Sequence, residues 1–315
     1  MKLSQIVTQY IMFKQSMGMR FRTESAILNA FCRATGNIDI SKVTSDSVQA
    51  YLNGTGPITP FWHRKFDALN GFYRFALSRD YIASSPLPTT IPKRPALFHP
   101  YIYTHEQFRK LVEMTDTLNN SPRSHIQPIT FRTLLILLYA TGLRIGEALS
   151  LTLADVDLPA SLLTIRNTKF YKTRLVPAGP QLHVILKFYM KTRRLLPRPS
   201  RNGSAFLATC TGNALTLGSV ERIFRLLCEC AEIRRMDGGR FQPRLHDIRH
   251  TFAINRLVAW YREGKDVQRL LPFLSTYMGH VDVKATQRYL EMTPELLQEA
   301  SLRFQEYATK EVNHD

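Results

Sequence analysis

The sequence predicts a mainly α-helical fold of two domains, with a small β-hairpin or sheet in the larger one. Its 315 residues are enough for two hydrophobic cores, and a hydrophobic content of 44% is ordinary for a folded protein. Apolar residues recur mainly at helical spacing, and residues 161–179 change to the alternation of β-strands. These observations together indicate the fold class.

Residues 1–85 are predicted to form an N-terminal domain of several short helices. Apolar faces begin near Ile6 and Ile27, Thr44 is a capping signal for another helix, and residues 61–82 carry a further apolar face. Basic side chains alternate here with aromatic ones, which favours DNA binding over a helical bundle without a ligand. These basic residues are Arg20, Arg22, Arg64, Lys65, Arg74 and Arg79.

A basic linker is predicted at residues 86–100. Its five prolines disfavour a helix and keep the chain extended, and Lys93 and Arg94 suit a path along a nucleic-acid duplex. The remaining residues, 101–315, form the larger domain. Two domains joined by such a linker predict a clamp that holds its duplex between them.

The larger domain opens with a capping box, in which Thr104 is followed three residues later by Gln107. Residues 129–140 are too apolar for a surface helix and too short to span a membrane, so they predict a buried core helix. Gly142 ends this helix, and Arg144 begins the next. An arginine held there adds to the attraction of the helix dipole for anions.

The alternating stretch predicts a hairpin whose returning strand is formed by residues 174–177. Lys169, Lys172 and Arg174 cluster near the tip of this hairpin. Lysines at such a tip are commonly solvated charges on the edge of a sheet. A functional interpretation of them therefore depends on the rest of the chain.

Three more helices are predicted, near 180–195, near 216–232 and over 293–310. The last begins with Thr293 and Pro294, a cap followed by proline at the first helical position. Its apolar stripe predicts that it docks onto a neighbouring subunit.

The charge balance favours a polyanionic partner. There are 42 Lys and Arg against 25 Asp and Glu, which gives a net charge of +17 and a pI near 9.9. A membrane surface would also attract this charge, but no apolar run approaches the roughly 20 residues of a spanning helix. The first residues lack a signal-peptide core. We therefore predict a cytoplasmic protein without a membrane partner.

The four cysteines lack the paired spacing of a zinc site or a disulfide framework, so they are interpreted as reduced packing residues. No GxxxxGK[ST] loop or acidic cluster occurs either. No cofactor and no metal are therefore predicted.

Residues 243–292 combine side chains suited to chemistry on a phosphate. Arginine presents a fork of donors to two phosphate oxygens, histidine shuttles protons near neutral pH, and a tyrosine phenol can form a covalent intermediate. The candidates are His246, Arg249, His280 and Tyr289, together with Arg144 and Lys169 upstream. The combination points to phosphoryl transfer rather than to chemistry on a carbonyl.

These candidates lie in blocks that resemble the tyrosine recombinase, or phage integrase, family over nearly the whole chain. The blocks are ATGLRIGEALSL (140–151), TKFYKTRLVPAG (168–179), LHDIRHTFA (245–253), YMGH (277–280) and ATQRYLEMTPE (285–295). The run LSTYMGH is more similar to recombinases encoded by transposon-like elements than to chromosome-dimer resolution enzymes.

The resemblance implies the role of each candidate. Arg144, Arg249 and His280 would bind the phosphate, His246 would accept a proton, Lys169 would be the general acid, and Tyr289 would be the nucleophile. It implies cutting and rejoining of double-stranded DNA through a 3′-phosphotyrosine, in integration, excision or transposition. It also implies dimers on inverted half-sites and a tetramer of paired sites, formed alone or with sister recombinases.

Several alternatives stay open at this stage. Lys172 is a rival for the role of Lys169, Tyr277 is a rival nucleophile, and His250 is interpreted as a packing residue. A type IB-like topoisomerase or a telomere resolvase would use the same chemistry. A DNA-binding regulator would retain the fold without the activity.

Overall fold

A computed structural model describes residues 1–56, 58–94, 99–118, 125–166, 173–196, 202–239, 241–280, 282–291, 298–299 and 301–302. These residues divide into two compact units, one extending to Arg94 and the other beginning at His99. Both units are mainly helical, and the sheet lies in the second. The predicted fold class, mainly α with a small sheet in the larger part, is confirmed. The finer boundaries 1–85, 86–100 and 101–315 stay a prediction.

The first unit is built around its longest helix. Its helices are α1 (Leu3–Ser16), α2 (Arg22–Ala34), α3 (Ser45–Asn53) and α4 (Pro60–Leu77). The hydroxyls of Thr44 and Thr59 accept hydrogen bonds at the starts of α3 and α4. Leu69 and Phe72 of α4 are fully buried against the other helices. Burial of each such side chain contributes roughly 1.5–3 kcal/mol.

The second unit packs around a helix that is apolar on nearly every side. Helix α6 buries eight of its fourteen residues, which explains why the sequence shows no polar face there. The helices of this unit are α5 (His105–Met114), α6 (Pro128–Thr141), α7 (Ile145–Leu149), α8 (Pro180–Arg194), α9 (Leu217–Cys230), α10 (Asp247–Arg262), α11 (Val267–Met278) and α12 (Lys284–Gln287). The capping box of Thr104 and Gln107 is present at α5.

The sheet has three antiparallel strands in the order β1–β2–β3. They are β1 (Val156–Asp157), β2 (Leu162–Ile165) and β3 (Arg174–Pro177). The hairpin of β2 and β3 was predicted from alternation, whereas β1 was not. Ile165 is paired with Arg174 at the end of the hairpin nearest its loop. This register places Ile165, Arg174 and Val176 on one face of the sheet.

The last elements carry most of the predicted site residues. Helices α10 and α11 pack together, and α12 leads into a 3₁₀ turn at Arg288–Glu291. Helix α12 lies between His280 and Tyr289. Most of the predicted terminal helix 293–310 lies outside the described residues. Among the helices that the structure describes, none has the length and apolarity needed to cross a membrane.

Candidate active site

Two arginine side chains meet around one turn of the main chain. Arg144 donates from Nη2 to the carbonyl of Gly279 at 3.0 Å and from Nη1 to that of Met278 at 3.5 Å. Arg249 donates from Nη2 to the same Met278 carbonyl at 2.7 Å and from Nη1 to that of Gly142 at 2.6 Å. Because both guanidinium groups share the Met278 oxygen, they lie side by side.

Each arginine is positioned by the end of a helix. Gly142 ends α6 in the left-handed conformation with φ +61°, and a Cβ there would overlap the ring of Phe252. The chain therefore turns sharply and delivers Arg144 to the start of α7. Arg249 lies in the first turn of α10 and is 3% exposed.

The burial of Arg249 has an electrostatic cost. Burial, followed by the nearby charge of Arg144, lowers the pKa of Arg249 to about 10, so the side chain stays protonated at neutral pH. Its guanidinium donates to two main-chain carbonyls, and a hydrogen bond from it to the Tyr289 phenol also acts on that phenol. Two adjacent cations held in this way attract an anion.

Glu147 partly balances this positive charge. Its carboxylate accepts from Arg144 Nη1 at 2.9 Å, and from Arg174 Nη1 and Nη2 at 3.1 and 2.8 Å. Burial alone would raise the pKa of Glu147, but the hydrogen bonds and charge of Arg174, supported by Arg144, lower it to about 2. Glu147 follows Arg144 by three residues in the block ATGLRIGEALSL, so its pairing with Arg144 is local, whereas its pairing with Arg174 is not.

Tyr289 lies against this group of cations. It is 3% exposed, and its ring lies 5.5 Å from that of His250 and 6.1 Å from that of His280. Burial raises the pKa of the phenol, whereas the charges of Arg249 and Arg144 act in the opposite direction. The phenol therefore stays protonated in the free protein.

The pKa values of the histidines in this site favour their neutral forms. His280 Nδ1 lies 2.7 Å from Thr286 Oγ1, and burial together with Arg249 lowers the His280 pKa to about 4. His246 precedes α10 and its ring lies 5.1 Å from that of His250. Desolvation and the charge of Arg249 also lower the pKa of His246, although solvent reaches this side chain.

Five of the six predicted site residues thus come together in the second unit: Arg144, His246, Arg249, His280 and Tyr289. Lys169 and its rival Lys172 lie outside the described residues. Tyr277 has its ring stacked 5.7 Å from that of Phe252, within the cluster between α10 and α11. Across the described residues, no group of three or more His, Cys, Asp or Glu side chains could hold a metal ion.

Sequence reasoning missed the roles of Arg174 and Thr286 in this network. Arg174 was grouped with the lysines of the hairpin tip, but its side chain is only 12% exposed and reaches Glu147. Strand alternation could have predicted that Arg174 faces inward, because Arg174 and the buried Val176 lie two residues apart and share a face. No local pattern marks Thr286 as the partner of His280.

Comparison with known proteins identifies the family. Residues 102–295 match the model of the phage integrase family. The chain is 36% identical to a putative integrase/recombinase, y4rB, of Sinorhizobium fredii over 96% of both proteins. It is 28% identical to the tyrosine recombinase XerC of Oceanobacillus iheyensis, over 90% of this chain and 88% of that protein.

A solved structure shares the fold. The Tn1549 transposon integrase in complex with transposon right-end DNA superposes with a TM-score of 0.70 at 15% identity, covering 98% of this chain and 100% of that chain. The family model covers more than half of the chain, and the y4rB protein is similar over almost its whole length. The chain therefore belongs to the phage integrase family. It is, by class, a tyrosine-type site-specific recombinase.

Proposed function

We propose that this recombinase cuts and rejoins double-stranded DNA through a covalent 3′-phosphotyrosine on Tyr289. One observation carries the proposal: the ring of Tyr289 packs against His280, beside two guanidinium groups that share the Met278 carbonyl. An anion bound by those arginines would lie next to the phenol. A DNA phosphodiester has the charge and the two non-bridging oxygens that such a pair of arginines can hold.

The proposed reaction is an in-line transfer at phosphorus. Arg144 and Arg249 hold the non-bridging oxygens, and the Tyr289 oxygen forms a bond to phosphorus as the bond to the 5′ oxygen breaks. His246 accepts the phenolic proton. Lys169, or Lys172 in its place, gives a proton to the departing 5′ oxygen. The reverse reaction with a 5′-hydroxyl of another strand releases Tyr289 and joins the strands.

The neutral state of His280 suits a hydrogen-bond donor to phosphate. In the tautomer whose Nδ1 accepts from the Thr286 hydroxyl, Nε2 carries the proton that can be donated. The raised pKa of Tyr289 means that the phenol transfers its proton during attack rather than ionising beforehand. Such a transfer needs a proton acceptor, which is the role proposed for His246.

Both domains and several subunits take part in the proposed reaction. The domains 1–85 and 101–315, joined by the linker 86–100, both bind the duplex, and the protein acts in the cytoplasm, where its DNA substrate lies. Strand exchange between two duplexes cuts four strands, one for each half-site. Because each subunit has one Tyr289, we propose dimers on inverted half-sites and a tetramer of two paired sites, formed alone or with sister recombinases.

The test is covalent trapping on a suicide substrate whose nick releases a short fragment after cleavage. The wild-type protein is expected to form a DNA adduct that survives a denaturing gel. Tyr289→Phe is expected to bind the same DNA and form none, because it lacks the attacking oxygen, and Tyr277→Phe serves as the matched control that retains the adduct. An adduct with Tyr289→Phe would refute the assignment.

The same substrates separate the remaining alternatives. A topoisomerase or telomere resolvase would form the adduct but would not join strands from two different duplexes. A regulator without activity would bind DNA without an adduct. Two differently labelled duplexes that exchange strands would support the recombinase and exclude both.

A further inference from the structure

Arg174 links the hairpin to the rest of the site, although it is not among the predicted catalytic residues. It is the first residue of β3 and is paired with Ile165, so it stands where the hairpin loop ends. Its side chain is 12% exposed and points into the unit. Arg174 follows Lys172, a candidate general acid, by two residues. The contacts of its side chain therefore connect this part of the hairpin to the rest of the site.

The contacts of Arg174 lead to two parts of the site. Nη1 and Nη2 donate to the two carboxylate oxygens of Glu147, at 3.1 and 2.8 Å, in a bidentate pair. Glu147 also accepts from Arg144, so the three side chains form a chain of charges. Nε donates at 2.9 Å to the carbonyl of Tyr277, three residues before His280.

The backbone beside this side chain leaves room for the guanidinium. Gly279 has φ +70°, and a Cβ added there would lie 2.7 Å from Arg174 Nη1. Arg144 donates to the carbonyl of the same glycine. Arg174 and Arg144 are therefore packed against one turn, Met278 to His280, as well as against one carboxylate.

We infer that Arg174 is a positioning residue for DNA cleavage, which connects the start of β3 to Arg144, through Glu147, and to the turn that carries His280. This inference rests on the proposed function, since the loop contains Lys169 and Lys172, the candidates for protonating the departing 5′ oxygen. Arg174 itself does not touch the reacting atoms. It acts on the proton transfer that the proposed function assigns to Lys169 or Lys172.

The chemistry distinguishes this role from a general loss of structure. A 5′ oxygen needs a proton as it departs, whereas a 5′ sulfur departs as a thiolate without one, because a thiol is far more acidic than an alcohol. A variant that misplaces only the proton donor should be slow on the oxygen substrate and nearly normal on the sulfur substrate. The ratio of the two rates is independent of the fraction of protein that is active.

The experiment measures single-turnover cleavage of both substrates by Arg174→Lys. A lysine keeps the charge but cannot bond both Glu147 oxygens and the Tyr277 carbonyl in one plane. We expect the oxygen substrate to be cleaved about 10²-fold more slowly, as for a misplaced catalytic group, and the 5′-thio substrate to retain wild-type rate within about threefold. Arg174→Gln, which also removes the charge, should show the same ratio and serves if Arg174→Lys does not fold.

Arg166 provides a matched control on the same hairpin. It stands at the other side of the loop, pairs with Asp155 and is 58% exposed. Arg166→Lys should cleave both substrates at the wild-type rate. Lys169→Met and Lys172→Met show which lysine is the donor, since its loss should give the same rescue by sulfur.

The outcomes are distinct. Equal slowing of both substrates by the Arg174 variants, or no slowing of either, would overturn the inference while leaving the proposed function intact. Failure of the wild-type protein to form an adduct with either substrate would instead refute the proposed function. Slowing confined to the oxygen substrate supports the positioning role.

Discussion

Arg166 and Arg174 stand on either side of the loop of one hairpin, and each pairs with a carboxylate. The Arg166 side chain is 58% exposed, and its partner Asp155 is occupied by the main-chain N–H and the hydroxyl of Thr152. The Arg174 side chain is 12% exposed, and its partner Glu147 also binds Arg144. The two ion pairs are a few residues apart and thus differ in the second partner of the carboxylate, which is Thr152 for Asp155 and Arg144 for Glu147.

This difference shows that the surroundings of an ion pair determine how much it contributes to the stability of the fold. A pair with one exposed partner, such as Arg166 with the buried Asp155, is worth less, because water solvates the arginine when the pair is broken. A buried pair costs much to break, because the remaining charge loses its partner without gaining water. The Arg174 pair belongs to the second kind and is connected to the proposed phosphate-binding arginines, so its loss should affect both stability and chemistry.

The largest expected effect comes from removing each carboxylate in turn. Glu147→Gln should lower the free energy of unfolding by about 3 kcal/mol, because it leaves two arginines without their anion. Asp155→Asn should cost about 1 kcal/mol, since Arg166 is solvated and the asparagine oxygen can still accept from Thr152. Urea unfolding measures both, and covalent trapping should show a loss on the order of 10²-fold for Glu147→Gln only. Similar losses for the two variants would show that the pairs are equivalent.

The pH dependence of the unfolding free energy should distinguish the same two carboxylates, with a slightly smaller effect than their removal. The pKa of Glu147 falls from 4.5 to about 2 in the folded protein, so its carboxylate contributes stability above pH 4.5 that is lost as the pH falls toward 2. That shift corresponds to about 3 kcal/mol at most. Unfolding free energies between pH 5 and pH 2.5 should therefore decline less steeply for Glu147→Gln than for the wild type.

The control for the acid experiment is Asp155→Asn, measured over the same range. The pKa of Asp155 is also lowered, by hydrogen bonds from Thr152 and Arg166 that outweigh the raising effect of burial. Its variant should also flatten the curve, but less than Glu147→Gln does. A decline for Glu147→Gln that is parallel to the wild type would contradict the proposed coupling.

The smallest effect concerns the glycine beside Arg174. Gly279 and Gly264 have φ +70° and +68°, but a Cβ would meet the Arg174 guanidinium only at Gly279 and nothing within 4 Å at Gly264. Both alanine variants carry the cost of a left-handed backbone, about 1 kcal/mol. Gly279→Ala should lose about 1 kcal/mol more through overpacking. Thermal unfolding measures the difference, and equal losses would mean that Arg174 moves aside freely.

The local parts of this molecule could be predicted from sequence, and the long-range contacts could not. The capping box at Thr104, the apolar run of α6 and the alternation of β2 and β3 each act within a few residues, so a single sequence contains the signal. Strand β1 is only two residues long, which is too short for an alternating pattern. The domain boundaries and the catalytic roles stay predictions.

The site shows the same limit more clearly. Five of its predicted residues were found through motif blocks, and the structure brings them together. The sequence pattern groups Arg174 with the hairpin tip, because the partners of its side chain lie 27 residues earlier and 103 residues later in the chain. A pattern read along the chain shows which face Arg174 occupies, but only the fold shows that Glu147 lies opposite that face.

The oxygen that Arg144 and Arg249 share belongs to the backbone of Met278, and every amino acid supplies an equivalent atom. Exchange of the methionine for another apolar residue therefore leaves the acceptor itself in place. The path of the main chain at the end of α11 therefore sets the spacing of the two guanidinium groups. An insertion or deletion in that turn would separate the arginines more effectively than any change of side chain at residue 278.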